Sequence, residues 1–238
     1  MANFKSAHNN YFLNGANGWR SADFAPAQEL VKKSEGGYTN DPDDNGNWTG
    51  GKIGSGELIG TNWGISAPTL VAELKRLGGK PPTASTMKNL EYASAAAIYK
   101  RNFWDKIKGD DIKNQSVATI IYDAYVNQSG WTRKMIADTL DNIGKPTDVV
   151  VPLKADTVAV INSVSPEKFY NEFKKQRKIR YQETSMRPNQ SKYLKGWLNR
   201  LSTFDGVMET VQKNPGKTGM LLVGIGLLAT GIYFYTKK

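Results

Sequence analysis

The sequence predicts a mainly α-helical protein: an α+β body with a small β or loop lobe, followed by one C-terminal transmembrane helix. Three observations predict this fold class. Apolar side chains recur at helical spacing through most of residues 69–201. Gly, Asn and Asp crowd residues 38–64, which favours turns and short strands. Residues 218–235 carry no charge and are long enough to cross a bilayer as a helix.

The composition narrows the chemistry of the chain. Its 238 residues are 39% hydrophobic, enough for a sizeable core. There is no cysteine, and His8 is the only histidine. This excludes disulfides, thiolate metal sites and a cysteine nucleophile, and it weighs against a zinc site or a Ser-His-Asp triad. We therefore expect no metal and no other cofactor, and catalysis should depend on carboxylates.

Most of the body is predicted to be helical. Residues 1–22, rich in Asn, Gly and Ser, predict an irregular arm. A helix then begins near Pro26 and stops at a Gly-Gly pair, so that Glu35 is its last side chain. Capping residues and apolar periodicity predict further helices at residues 69–77, 86–106, 114–128, 131–143, 165–184 and 190–201. Residues 158–161 fit either a helix or a short strand.

The carboxylates of residues 35–46, EGGYTNDPDDNG, form a candidate site. Glycosidic cleavage requires one carboxylic acid that protonates the leaving oxygen and a second carboxylate that activates water or stabilises the sugar cation. Glu35, at a helix end beside apolar residues, is expected to favour its protonated form, whereas Asp41, Asp43 and Asp44 lie on a polar turn and should stay ionised. A plain solvated turn fits the same pattern. A calcium loop is disfavoured because no acidic residue follows at its twelfth position.

At these residues the chain resembles glycoside hydrolase family 108, which comprises bacterial and phage N-acetylmuramidases. Three motifs carry the resemblance: Glu-Gly-Gly-Tyr at 35–38, Asn-Asp-Pro-Asp-Asp at 40–44, and Thr-Asn-Trp-Gly-Ile-Ser at 61–66. Later motifs resemble the peptidoglycan-binding domain that accompanies the family: Ala-Ile-Tyr at 97–99 with Phe103 and Trp104, Asp123 with Asn127 and Gly130, and Gly-Trp-Leu-Asn-Arg at 196–200. The resemblance covers about residues 26–201 and implies a lysozyme-like fold.

The resemblance assigns roles within the site. It makes Glu35 the general acid and Asp44, nine positions later, the second carboxylate. Thr61 corresponds to the threonine that helps to hold the attacking water in phage-type lysozymes. The family joins this Asp and Thr by a few residues, whereas here residues 45–60 intervene, and we expect them to form a longer hairpin over the cleft. Water between the carboxyl groups implies a separation of roughly 6.5–9.5 Å and inversion at the anomeric carbon.

Further residues are predicted to contact the glycan. The predicted substrate-binding residues are Tyr38, Asp41, Trp48, Asn62, Trp63 and Asn127. Trp48 lies on the intervening loop, where exposure and substrate contact are expected at least as readily as packing. Trp104, inside a helical pattern, is expected to pack in the core. Asn127 and Arg200 fit either glycan or peptide binding or the capping of helices.

The C-terminal segment predicts a membrane anchor. Eighteen residues of helix extend roughly 27 Å, close to a hydrocarbon core of about 30 Å. Tyr233 and Tyr235 lie where an interfacial aromatic belt would be, and lysines flank both ends. The predicted organisation has five parts: an arm at 1–22, a lysozyme-like catalytic lobe at 23–110, a helical peptidoglycan-binding portion at 111–204, a linker at 205–217 and the anchor at 218–235.

Charge and location point to the predicted partners. The net charge is +10, and residues 165–200 hold ten Lys or Arg against three Glu, which favours a polyanion such as acidic wall polymer. The N-terminus lacks the apolar run of a signal peptide. We expect peptidoglycan and a membrane as partners, with virion proteins as further candidates and no specific nucleic acid. The expected location is a host membrane or a lipid-containing virion of a bacteriophage.

Three other functions stay open at this stage. A lytic transglycosylase would need only Glu35 and would leave 1,6-anhydro ends. A non-catalytic wall-binding protein, or a structural membrane protein of a virion, would bind sacculi without releasing sugar. A nucleic-acid binder is suggested by charge alone, because the sequence contains no recognisable helix-turn-helix, RNP or zinc pattern.

Overall fold

A computed structural model describes residues 21–32 and 36–204. Glu35, most of the predicted arm, the linker and the predicted anchor lie outside the described residues. The described residues divide into two compact units. The first unit comprises residue 32 and residues 36–99, and the second comprises residues 21–31 and 100–204. Within these ranges, no helix combines the length and the apolar character that a membrane crossing requires.

The described residues form nine α-helices, and the mainly helical prediction is confirmed. The helices are α1 (Phe24–Lys32), α2 (Ala67–Arg76), α3 (Ala84–Lys88), α4 (Tyr92–Tyr99), α5 (Gln115–Asn127), α6 (Ser129–Asn142), α7 (Ala155–Ser163), α8 (Pro166–Ser185) and α9 (Leu194–Ser202). Short 3₁₀ turns lie at Asn45–Asn47, Asp105–Ile107, Gly109–Asp111 and Ser191–Tyr193, and a π-helical turn lies at Lys100–Trp104. In place of strands, the described part of the loop region carries three isolated antiparallel bridges.

The predicted helix at 86–106 is divided, and in this respect the prediction is wrong. A capping box between Thr83 and Thr86 starts α3 early. The side-chain amide of Asn62, a residue distant in sequence, then donates to the carbonyl oxygens of Met87 and Lys88 at 3.0 and 3.2 Å. Carbonyls at a helix end need partners from outside the helix. The two hydrogen bonds from Asn62 provide these partners, and α3 ends at Lys88.

Two other predictions concern the C-terminal half. Residues 158–161, which fitted either a helix or a strand, lie inside α7. Ser165 caps α8, as the Ser-Pro pair predicts, by accepting a hydrogen bond from the Lys168 amide, and Pro166 occupies the first turn. The second unit is mostly helical, with no helix at residues 145–154, and α8 packs against α5, α6 and α9.

The core of the second unit is built on aromatic side chains. Trp104 is fully buried, as predicted, and its indole N–H donates to the Asp110 carboxylate at 2.7 Å. Phe24 of α1 and Tyr122 of α5 both meet the Trp104 ring edge-on, with centroids 5.8 and 5.5 Å away. Edge-to-face packing of this kind stabilises a core beyond the area that it buries.

A buried ion cluster joins three helices of the second unit. Asp123 of α5 is 1% exposed and pairs with Arg177 of α8 at 2.7 Å and with Arg200 of α9 at 2.6 Å. Arg177 also donates to the side-chain oxygens of Gln128 and Tyr181. Burial alone would raise the pKa of Asp123, but the charges and hydrogen bonds of the two guanidinium groups hold it below its usual value.

Asp123→Asn should therefore destabilise the protein. The substitution keeps the shape of the side chain but leaves two buried guanidinium groups without their counter-charge, which costs about 3–5 kcal/mol in comparable clusters. We expect this loss in the free energy of unfolding, measured by urea denaturation at neutral pH. Because the folded-state pKa is depressed, the difference from wild type should shrink as the pH falls below about 4.

Asp111→Asn is the matched control for this prediction. Asp111 forms an ion pair with Lys108 at 3.5 Å, and its side chain is 61% exposed. Exposed pairs contribute about 0–1 kcal/mol, so this variant should unfold close to wild type. Equal losses from the two substitutions would contradict a special role for the buried cluster.

Candidate active site

The loop that carries the candidate site is closed by backbone pairing at its base. The Thr39 amide donates to the Thr61 carbonyl at 2.9 Å, and the Thr61 amide donates to the Thr39 carbonyl at 2.8 Å. Gly60, at φ +87°, precedes this pair, and a side chain there would collide with the Thr39 carbonyl and the Tyr38 ring. The glycine therefore allows the two segments to approach closely.

Asp44 sits at the start of the 3₁₀ turn Asn45–Asn47. Its carboxylate accepts a hydrogen bond from the Gly46 amide at 2.8 Å, an N-cap interaction that fixes the side chain. The side chain is half-buried. The Asn47 carbonyl accepts hydrogen bonds from the amides of Ile59 and Gly60, both at 3.0 Å, so the turn is tied to the segment that leads into Thr61.

The side chains of Asp44 and Thr61 both lie close to Gly46. A β-carbon built at Gly46 would lie 3.3 Å from a carboxylate oxygen of Asp44 and 3.8 Å from the Thr61 hydroxyl oxygen. The hydroxyl also donates to the Gly46 carbonyl at 3.4 Å. The β-carbon of Ser66 borders the same point at 3.6 Å. A carboxylate and two hydroxyl-bearing side chains thus converge, despite the intervening residues 45–60.

Asp41 shapes the turn before Asp44. Its carboxylate accepts a hydrogen bond from the Asp43 amide at 3.0 Å, an Asx-turn geometry. Its carbonyl accepts from the Asp44 amide at 3.2 Å and from the buried Asn47 side chain at 2.9 Å. The described contacts of Asp41 are therefore structural, and substrate binding by Asp41 stays a prediction.

Trp48 begins the excursion formed by residues 48–58. Its indole N–H donates to the Pro42 carbonyl at 2.9 Å, its ring is half-buried, and its backbone pairs with Leu58. The excursion turns back on itself, with Ile53 56% exposed near its tip. Trp48 therefore packs on its own loop while keeping part of its ring accessible.

Trp63 occupies a strained position. Residues 62–65 form a tight turn in which Trp63 (φ 52°) and Gly64 (φ 71°) are both left-handed, as in type I′ turns. An aromatic residue rarely adopts this conformation. It is held here because the Trp63 indole donates to the Leu90 carbonyl at 2.9 Å and packs edge-on against Tyr92. The ammonium group of Lys32 lies 3.9 Å from the centroid of the Tyr92 ring.

The other predicted binding residues have local partners. Asn62 is 5% exposed and uses its amide protons on the end of α3, as described above. The Tyr38 hydroxyl donates to the Ile59 carbonyl at 3.4 Å. Asn127, in the second unit, donates to the Asp123 carbonyl at 2.7 Å and to its carboxylate at 3.3 Å, which is the helix-end alternative noted for this residue. Glycan binding by these residues stays a prediction.

The first unit thus assembles Asp44, Thr61 and their surroundings, while Glu35 lies outside the described residues. Sequence reasoning missed Gly46 and Ser66. Ser66 is the last residue of the Thr-Asn-Trp-Gly-Ile-Ser motif, and Gly46 follows Asp44 by two residues. Both therefore lie in the quoted motifs, but the sequence assigned no role to either. Among the described residues, no group of three His, Cys, Asp or Glu side chains is arranged to hold a metal ion.

The comparisons with known proteins define the class. The family model of glycosyl hydrolase 108 matches residues 28–129, a segment that contains all nine predicted site residues. The chain is a glycoside hydrolase of the N-acetylmuramidase type. Eight chains of solved structure match, among them SagA of Brucella abortus, with a TM-score of 0.55 and 27% identity over 79% of this chain and 94% of SagA. A search of curated protein sequences found no significant match.

Gly46→Ala should impair catalysis while sparing the fold. The added methyl would press on the Asp44 carboxylate at 3.3 Å and border the Thr61 hydroxyl, and small displacements of reacting groups are costly. We expect kcat for the release of reducing sugar from sacculi to fall at least tenfold, with the free energy of unfolding changed by less than about 1 kcal/mol. Gly130→Ala, which meets nothing within 4 Å, is the matched control. Unchanged kcat in Gly46→Ala would contradict the site.

Proposed function

We propose that the protein is a peptidoglycan hydrolase that cleaves the bond between N-acetylmuramic acid and N-acetylglucosamine. Glu35 is the general acid, and Asp44 with Thr61 holds and activates the attacking water. The observation that carries the proposal is the convergence of Asp44 and Thr61 at Gly46, inside the segment matched by the glycosyl hydrolase 108 model.

The proposed reaction is a single displacement. Glu35 passes its proton to the glycosidic oxygen as the bond from that oxygen to the anomeric carbon breaks. Water forms the new bond to the same carbon and gives its proton to the Asp44 carboxylate. The Gly46 amide fixes the carboxylate, and the Thr61 hydroxyl, whose proton goes to the Gly46 carbonyl, would accept a hydrogen bond from the water. Both carboxyl groups then exchange protons with solvent and return to their starting states.

The second unit is proposed to bind the wall. Its α8 carries an exposed row of lysines, and Lys168 and Lys175 line an open groove of about 570 Å³ together with Asn142, Ile143, Asn171 and Glu172. Lys174 and Lys178 add to the positive potential of this helix. Burial lowers the pKa of Lys174, and the nearby charge of Lys178 lowers it further. Such a field attracts acidic wall polymer over distance, and the attraction weakens as the salt concentration rises.

The anchor and the biological setting are proposed from the sequence. The uncharged segment 218–235 would tether the enzyme to a membrane, and a wall hydrolase with such a tether suits a bacteriophage. The location would be the host membrane or a lipid-containing virion, where virion proteins would be further partners.

Glu35→Gln and Asp44→Asn should each abolish most glycan release. General acid or base catalysis contributes about 10²–10⁴-fold, so we expect the rate of muropeptide release from purified sacculi to fall at least 100-fold for either variant. Mass spectrometry of the wild-type products should give hydrolysed reducing ends. Asp43→Asn, an exposed carboxylate on the same turn, is the matched control and should stay near wild type.

Each contrary outcome points elsewhere. Near-wild-type activity of Glu35→Gln would show that Glu35 is not the general acid. Products with 1,6-anhydro ends would identify a transglycosylase that needs no second carboxylate. Binding to sacculi with no released sugar from the wild-type chain would identify a wall-binding protein.

A further inference from the structure

The turn after α8 carries an aromatic and basic surface that the catalytic proposal does not use. We call it the α8-turn surface, and it comprises Trp131, Met186, Arg187, Lys192, Lys195 and Trp197. All six lie in the second unit, so the surface is defined within one compact body. It differs from the lysine row of α8 because it combines positive charge with aromatic rings and an exposed apolar side chain.

Trp131 lies close to two guanidinium groups. The guanidinium carbons of Arg180 and Arg187 lie 4.9 and 5.8 Å from the centroid of the indole. Arg180 is held further by ion pairs with Asp138 and Glu183, so the nearby acidic groups are engaged. Arg187 is exposed and its guanidinium is held over the ring, which orders a cation at the surface.

A second aromatic group continues the surface. Trp197 stacks on Tyr181 with centroids 5.5 Å apart and lies 5.9 Å from Tyr193. The ammonium group of Lys192 lies 5.1 Å from the Tyr193 centroid. Both aromatic groups include a side chain from the C-terminal part of α8, because Arg180 lies over Trp131 in the first group and Tyr181 stacks on Trp197 in the second.

Met186 projects from the turn at 83% exposure, the highest of the large hydrophobic side chains among the described residues. Arg187, Lys192 and Lys195, which follow Met186 in the chain, are exposed as well. No acidic residue occurs between positions 184 and 204, so their charge is not balanced along this stretch of chain. An exposed apolar side chain, in a stretch of chain whose charged residues are all cations, suits a partner that is anionic outside and apolar beneath.

We propose that the α8-turn surface docks on the headgroups of an anionic phospholipid bilayer, with Met186 entering the interface. Trp and Tyr favour that interface, and each basic side chain near an anionic leaflet strengthens the attraction. The proposed anchor at 218–235 would keep this surface close to a bilayer, because it begins fourteen residues after the last described residue, Phe204. This inference rests on the proposed anchor, which raises the local concentration of lipid at the surface.

The test uses the full chain, which has no cysteine of its own. Met186→Cys carries an environment-sensitive fluorophore, and the chain is reconstituted with vesicles of phosphatidylcholine alone or mixed with phosphatidylglycerol. We expect the label to shift to the blue and become shielded from acrylamide only on the mixed vesicles, with reversal at high salt. A label at Asp156→Cys, exposed on α7, should report water on both.

Charge variants test the partner. The triple variant Arg187→Gln, Lys192→Gln and Lys195→Gln should reduce the shielding of the label at least tenfold. The matched triple Lys106→Gln, Lys113→Gln and Lys154→Gln removes the same charge from exposed positions elsewhere in the unit and should keep it. Neither triple should alter the hydrolysis of solubilised glycan, which reports on the catalytic proposal alone.

The outcomes are separable. Alkaline carbonate extraction reports whether the anchor holds, independently of the label. A label that stays in water on the mixed vesicles overturns the proposal whatever the extraction gives. Equal shielding on pure phosphatidylcholine, or loss of shielding in the matched triple, overturns the choice of anionic lipid. Shielding by purified anionic wall polymer without shielding by vesicles would assign the surface to the wall instead.

Discussion

The candidate site depends on one backbone contact, the reciprocal pairing of Thr39 with Thr61. Residues between these two would otherwise be free to separate Asp44 from Thr61, since closing a loop costs entropy that contacts must offset. The pairing closes the loop at its base, and the hydrogen bonds from Ile59 and Gly60 to the Asn47 carbonyl close it again beside Asp44. The carboxylate of Asp44 and the hydroxyl of Thr61 therefore both lie beside Gly46.

The sequence predicted the elements of the fold better than their limits. Local signals were sufficient where the cap is local, as at Ser165 and Pro166, or where periodicity is long, as in α5. The prediction failed at 86–106 because the cap that ends α3 comes from Asn62. A hydrogen bond across that distance in sequence leaves no periodic trace. The buried partnership of Asp123 with Arg177 and Arg200 was equally invisible, although two of the three residues stood in motifs that the sequence singled out.

For the site, the residue types could be predicted from the sequence, but the contacts of those residues could not. Carboxylate chemistry and the family motifs pointed to Asp44 and Thr61, while the residues between them obscured whether the two could meet. Several predicted binding residues have structural partners: Asn62 caps a helix, Asp41 shapes a turn, and Asn127 contacts Asp123. A residue in such a motif can have a structural role or a chemical role, and only its contacts in three dimensions distinguish the two. The left-handed Trp63, held by Leu90 and Tyr92, had no sequence signal beyond its following glycine.

The central claim is that a water molecule, held opposite the leaving group by Asp44 and Thr61, attacks the sugar directly. The anomeric configuration of the first product tests this most directly, because a direct attack inverts the carbon whereas a covalent intermediate retains its configuration. Proton NMR of a defined glycan during the first minutes of hydrolysis should detect the inverted anomer before mutarotation. A first product with retained configuration would contradict the account, and Asp44 would then need a different role.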